Sequence, residues 1–359
     1  MGQKTPLYEA HVAAGARMVD FGGWDMPLNY GSQLTEHEAV RSASGVFDVS
    51  HMTVVDVSGA DAEAYMRTVF ANDVARLRKP GRALYGCLLN EAGGIVDDLI
   101  VYRCGDADFR LVVNAATRDK DLGWLAECAA NVDVAILERA DLAMLAVQGP
   151  DARSIAADLI EIPDLMSIRR FGFERADDVF VARTGYTGED GFEIIVPEDV
   201  VGHLWQQLLA ADVAPCGLGA RDSLRLEAGL GLYGSDMTDA THPYECNLGW
   251  TVDTSDPDRH FIGRDALAKV GDGERVLTGL VLPSGGVLRA GQRVITDAGD
   301  GVITSGGFSP TLKVSVALAR TPRGADVSTV RVEIRNKTLN VHVVEPPFVR
   351  GGAATFSLS

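Results

Sequence analysis

The change of texture near residue 275 constrains this chain more than any other feature. Before it, helical and strand patterns alternate irregularly; after it come short apolar runs separated by Gly, Pro and Asp turns, with no sustained helical pattern. Runs at 276–282, 302–304, 314–319, 327–334 and 339–344 predict a small β-barrel over residues 274–359. The polar stretch Gly271-Asp-Gly-Glu274 reads as the linker to a region spanning 1–273. With 359 residues, 46% of them hydrophobic, the chain can bury two such cores, and the fold class is α+β.

Within the first region the segment from Phe21 to Pro27 reads as loop, and Thr35 with Glu38 as a capping box for a helix ending at Gly45. A strand is expected over 46–57, then a helix from Asp61 to Phe70. Residues 83–89, 90–94 and 95–102 read as strand, Gly-rich turn and strand, a hairpin with two acids in its second arm. Further strands are expected at 109–113 and 142–147, and helices at 117–130 and after Pro150.

Charge and targeting signals narrow the function. With 33 Lys and Arg against 50 Asp and Glu the net charge is −17, which argues against phosphate neutralisation on DNA or RNA. The longest apolar runs, such as 94–101 with its two aspartates, fall far short of the roughly 18–20 residues that cross a bilayer. The first residues carry neither an apolar signal core nor an Arg/Ser-rich transit segment, so the expected compartment is the cytoplasm. Five scattered cysteines without a Cys-x-x-Cys pair suggest free thiols rather than disulfides or a thiolate metal site.

Four motifs could carry chemistry. Gly229-Leu-Gly231-Leu-Tyr-Gly234 matches a dinucleotide fingerprint, but the preceding 220–228 is helical in propensity where that fingerprint needs a strand. Asp97-Asp98 lies in a strand, where alternation sends the two acids to opposite faces and forces one inward, where it needs partners. Gly185-Tyr-Thr-Gly-Glu-Asp-Gly-Phe-Glu193 places Tyr186 and Glu193 at the ends of a tight turn, although it also reads as a plain polar hairpin. Arg221 and Arg225 share one helix face, where Asp222 or Glu227 could pair with them. None of these identifies a reaction alone.

Together they do point to a family. Thr5-Pro-Leu-Tyr8, Gly45-Val-Phe-Asp-Val-Ser-His-Met52, Gly93-Gly-Ile-Val-Asp-Asp-Leu-Ile-Val-Tyr102, the Gly185 to Glu193 loop, Gly217-Leu-Gly-Ala-Arg-Asp-Ser-Leu-Arg-Leu-Glu-Ala228 and Thr304-Ser-Gly-Gly-Phe-Ser-Pro-Thr311 resemble the aminomethyltransferases of the glycine cleavage system, the T-proteins. The resemblance runs in order from residue 5 to Pro347-Phe-Val-Arg350. It implies a folate-binding region of mixed sheets and helices around a central channel, followed by a small C-terminal β-barrel. It implies a reaction as well: the methylene of an aminomethyl group on the dihydrolipoyl arm of the H-protein passes to tetrahydrofolate, giving 5,10-methylenetetrahydrofolate and ammonia. The implied partners are therefore the lipoylated H-protein and tetrahydrofolate.

Residue by residue, the resemblance implies that Asp98 is the catalytic acid, where a carboxylate suits the cationic charge that develops in a water-poor site. Glu193 would bind the pterin, its two oxygens accepting from the 2-amino group and N3–H side by side. Arg221, Tyr85, Tyr186 and Asn114 fall on folate-contacting positions. The tail after Arg350 matches no folate-contacting tail. A related one-carbon capture domain occurs fused behind flavin domains in sarcosine- and dimethylglycine-oxidising enzymes, which would need a long N-terminal extension with a strand-borne fingerprint. A non-enzymatic folate-binding role would rely on a Lys-Gly-Cys-x-x-Gly-Gln motif, and none occurs here. Arg289, Lys313 and Arg350 are candidates for a local basic patch through which so acidic a chain could dock an acidic carrier.

Overall fold

The computed structural model describes residues 2–335 and 337–357. Two compact units share the chain: the first takes residues up to Gly86, Asp98–Gly185 and Glu189–Arg221, the second Cys87–Asp97, Tyr186–Gly188 and everything from Asp222 onward.

A six-stranded sheet organises the first unit, in the order Phe173–Ala176, Val179–Ala182, Gly191–Pro197, Leu142–Gln148, Gly45–Asp48, Ala214–Pro215. Six of the seven residues of Gly191–Pro197 are buried, Glu193 among them. Helix Val201–Ala210 lays Val201, Leu204, Trp205 and Leu208 into the core, an i, i+3, i+4, i+7 stripe, and helix Ala152–Leu159 adds Ala152 and Ala156. A five-stranded sheet follows the order Arg82–Leu89, Ile95–Arg103, Asp108–Val113, Thr53–Ser58, Ala135–Glu138.

The segment expected as loop at Phe21 to Pro27 is instead a hairpin of strands Arg17–Phe21 and Trp24–Asn29. Gly22 and Gly23 both take positive φ, 60° and 85°, the geometry a two-residue turn needs to match strand twist. Helix Gln33–Ser42 is capped by Ser32, whose hydroxyl accepts from the Thr35 amide, so the cap lies three residues before the one expected and the helix ends earlier. The strand expected over 46–57 is two strands, Gly45–Asp48 and Thr53–Ser58, in different sheets. Asp48 makes the break, turning its Oδ1 back onto the Ser50 amide at 2.9 Å.

Asp48 also ties down the N-terminal segment. Its Oδ2 accepts from the Thr5 hydroxyl at 2.6 Å and lies 2.8 Å from His11 Nε2, while His11 Nδ1 lies 2.8 Å from the Tyr30 hydroxyl. Burial pushes the Asp48 carboxyl up, but His11, Ser50 and Thr5 outweigh it and hold the pKa below the ordinary value.

In the second unit a seven-stranded sheet runs Lys337–Asn340, Arg331–Ile334, Arg293–Thr296, Gly299–Ser309, Val314–Pro322, Arg275–Leu282, His342–Val344. Its two outermost strands are separated in sequence by Val341 alone, so the sheet curls until its edges meet. Strand Arg293–Thr296 escaped the sequence reading because it offers only two apolar residues between charged turns. The run 327–334 splits into a short helical turn, Val327–Thr329, and strand Arg331–Ile334; 339–344 likewise splits between two strands.

Two measurements test this packing. Trp205→Ala, which empties a fully buried site, is expected to cost roughly 3–5 kcal/mol in urea unfolding. Because the folded Asp48 pKa is depressed, its contribution to stability is present above the ordinary carboxylate pKa of about 3.9 and is lost as pH falls through the lower folded value. Asp48→Asn should thus be less stable near neutrality and show a flatter acid limb when unfolding is followed against pH.

Candidate active site

Asp98 sits in strand Ile95–Arg103, held from two sides. The Tyr85 hydroxyl donates to its Oδ2 at 2.7 Å, and the Asn114 side-chain amide donates at 3.1 Å both to its Oδ1 and to its backbone carbonyl. Tyr85 comes from strand Arg82–Leu89 and Asn114 from the end of Asp108–Val113, so three strands converge on one carboxylate. All three residues are half-buried. Asp97, next in the strand and on its opposite face, is 0% exposed, so the fully buried member of the acid pair is Asp97 and the accessible one Asp98.

The hairpin turn before this strand tolerates no side chain at position 94. A Cβ on Gly94 would lie 1.8 Å from the Asp239 carbonyl oxygen, and the Asn90 side-chain oxygen accepts from the Ala92 and Gly94 amides to close the turn.

Glu193 is buried in strand Gly191–Pro197, with Oε2 accepting from the Thr184 hydroxyl at 2.5 Å. Burial raises its pKa, and the Thr184 bond and the Arg221 charge work against that rise. Arg221 thus joins Glu193 electrostatically. Tyr186 belongs to the second unit, where its hydroxyl donates to the Gly231 carbonyl. Gly229 ends helix Leu218–Glu227 in a positive-φ conformation of 68°, so the glycines of that segment terminate a helix and open no dinucleotide site.

Arg225 takes one of the two partners that the helix spacing offers and a second that it does not. It bonds Asp222, yet its buried partner is Asp236, 2.9 Å from Nη1, and Glu227 bonds elsewhere. Asp236 also accepts from the Leu232 amide and the hydroxyls of Thr304 and Ser305. Glu227 accepts from the hydroxyls of Ser309 and Thr311 and from the Thr311 amide. The motif from Thr304 to Thr311 therefore serves two buried acids of its own unit.

Sequence reading missed three residues around the site. Thr184 contacts Glu193 across a loop, which no periodicity betrays. Tyr102, 3.3 Å from the Thr184 hydroxyl, could have been found, because alternation puts residue 102 on the Asp98 face. His51 is buried with no hydrogen-bond partner at Nδ1, and the Phe21 ring stands edge-on to it at 5.7 Å. Burial and then the Arg221 charge push its pKa down to about 4, so the imidazole is neutral at physiological pH. Among the described residues no group of three or more His, Cys, Asp or Glu could hold a metal ion, and no helix is long and apolar enough to cross a membrane. Arg289, Lys313 and Arg350 are all exposed.

Two family models cover almost the whole of this architecture: the GCVT N-terminal domain matches residues 7–256, and the glycine cleavage T-protein C-terminal barrel domain matches 275–350. The chain belongs to the glycine cleavage T-protein family, a family of aminomethyltransferases. The aminomethyltransferase of Alcanivorax borkumensis is 56% identical over 361 residues, spanning 99% of both chains. That of Bordetella petrii is 56% identical over 358 residues, 98% of each. The crystal structure of glycine cleavage system aminomethyltransferase T from Bartonella henselae superposes with a TM-score of 0.92 at 37% identity, covering 98% of this chain and 99% of that one.

The buried ion pair gives a further test. Asp236→Ala strands the Arg225 guanidinium, 4% exposed, without its buried counter-charge, and should cost roughly 3–5 kcal/mol in chemical denaturation. Asp222→Ala, which removes an exposed partner, should cost no more than about 1 kcal/mol.

Proposed function

We propose that this chain transfers the methylene of an aminomethyl group, borne on the dihydrolipoyl arm of the H-protein, to tetrahydrofolate, releasing ammonia and giving 5,10-methylenetetrahydrofolate. The observation that carries the reading is the Asp98 carboxylate, gripped by Tyr85 and Asn114 in a chain whose full-length relatives are aminomethyltransferases. Held in that way, Asp98 cannot swing away when positive charge develops at the transferred carbon, and stabilising such charge with a pre-oriented carboxylate lowers the barrier directly.

The donor set fits a folate. A pterin presents adjacent N–H donors, and Glu193 offers a buried carboxylate to receive them. We assign Asp98 as the catalytic acid and Glu193, Arg221, Tyr85, Asn114 and Tyr186 to folate binding. The division of the chain into a folate-binding region, 1–273, and a C-terminal barrel, 274–359, is part of the same proposal, supported by a second family model that starts at residue 275. A cytoplasmic location is supported by five cysteines that all stand as free thiols.

Formation of methylenetetrahydrofolate, assayed with and without lipoylated H-protein, tests the reading; no product with the carrier present would refute it. In that assay Asp98→Asn is expected to keep folate affinity and lose roughly 10²–10³-fold in turnover. Glu193→Gln should show the reverse split, weakening folate binding by about 2–4 kcal/mol in calorimetry with turnover at saturation little changed. If Arg289, Lys313 and Arg350 steer the carrier, added salt slows the H-protein-dependent reaction and spares a free aminomethyl-dihydrolipoamide donor.

A further inference from the structure

We propose that Thr184, backed by Tyr102, is a positioning residue that sets how Glu193 presents its carboxylate to the pterin of tetrahydrofolate; this rests on the assignment of Glu193 above. A hydroxyl has one proton to give. Thr184 gives its proton to Glu193 Oε2 at 2.5 Å, so the 3.3 Å contact with Tyr102 has the phenol as donor and the Thr184 oxygen as acceptor. The chain of donation runs from Tyr102 to Thr184 to Glu193.

Each link is fixed from behind. The Thr184 carbonyl accepts from the side-chain amide of Gln148, a residue with no exposed surface, at 3.1 Å. Gly185 leaves room for that amide, since a Cβ there would lie 2.0 Å from Gln148 Oε1. On the other side Arg183 clamps Asp190 through two hydrogen bonds of 2.8 and 2.6 Å, closing the loop between Thr184 and Glu193. The Tyr102 ring is held edge-on by Phe180 at 5.1 Å and Phe173 at 5.6 Å.

The terminal torsion of a glutamate is broad, so an untethered carboxylate could turn its plane away from the ligand donors. Thr184 removes that freedom while using only one of about four acceptor positions, which leaves the carboxylate able to receive two ligand donors in one plane. It also favours the charged form. Facing Glu193 are Thr184, the Arg221 guanidinium and the Tyr102 phenol, and behind Tyr102 lie Cys104 and Arg110. Binding that needs the carboxylate is lost as pH falls through its raised pKa. Without the Thr184 hydroxyl that pKa rises further, so the acid limb of binding moves to higher pH.

The test is tetrahydrofolate affinity measured calorimetrically across pH for Thr184→Val, Thr184→Ser, Tyr102→Phe and Glu193→Gln. Thr184→Val should bind about tenfold more weakly on the acid limb, with its midpoint displaced upward and kcat at saturating folate retained. Thr184→Ser should restore the parent profile, and Tyr102→Phe, which serves also should the valine variant not fold, should shift it in the same direction by less. Weak binding by Glu193→Gln, together with a Thr184→Val affinity that is unchanged or reduced equally at every pH, overturns the positioning role and leaves Glu193 in place. Unchanged affinity in Glu193→Gln overturns both.

Discussion

A carboxylate taken out of water must be given hydrogen bonds by the protein, and this fold leans on several that are, among them Asp48, Glu193, Glu227 and Asp236. Three of these draw donors from segments remote in the chain. Asp48 gathers Thr5 and His11 against a strand end, and Glu193 is met by Thr184 across a loop. In the second unit Asp236 is served by Arg225, Thr304 and Ser305, and Glu227 by Ser309 and Thr311. Desolvation costs several kcal/mol per ion, which hydrogen bonds and counter-charges must offset, so these acids help specify which segments meet.

The four acids and Asp98 obey different logic. Asp98 remains half-buried, and a phenol and an amide, those of Tyr85 and Asn114, direct its two oxygens. Glu193 lies between the two cases, buried like a structural acid yet countered by a single hydroxyl and the more distant Arg221. An incompletely countered buried charge suits a group whose remaining partners arrive with a ligand.

Much of this was legible in the residues. The 83–102 hairpin, the strand carrying Glu193 and the helix carrying Arg221 emerge from alternation, glycine placement and helical spacing, because those signals are local. The motif resemblance named the family that the full-length relatives bear out. The errors have local causes too. The Gly22-Gly23 pair reads as loop but makes a tight turn, and the β-branched stretch hides a break because Asp48 caps its own backbone two residues on.

By itself, then, the sequence determined the fold class, the all-β character beyond residue 275 and which short motifs carry charge at regular spacing, since helix and strand periods are properties of neighbouring residues. Only the tertiary structure decided which acid of the 97–98 pair is accessible, that Arg225 answers Asp236 rather than Glu227, and that Tyr102 and Thr184 stand behind Glu193. Those pairings join residues across separate strands and loops. Their partners are chosen by where buried charge must find its donors, a condition that exists only once the chain has closed around them.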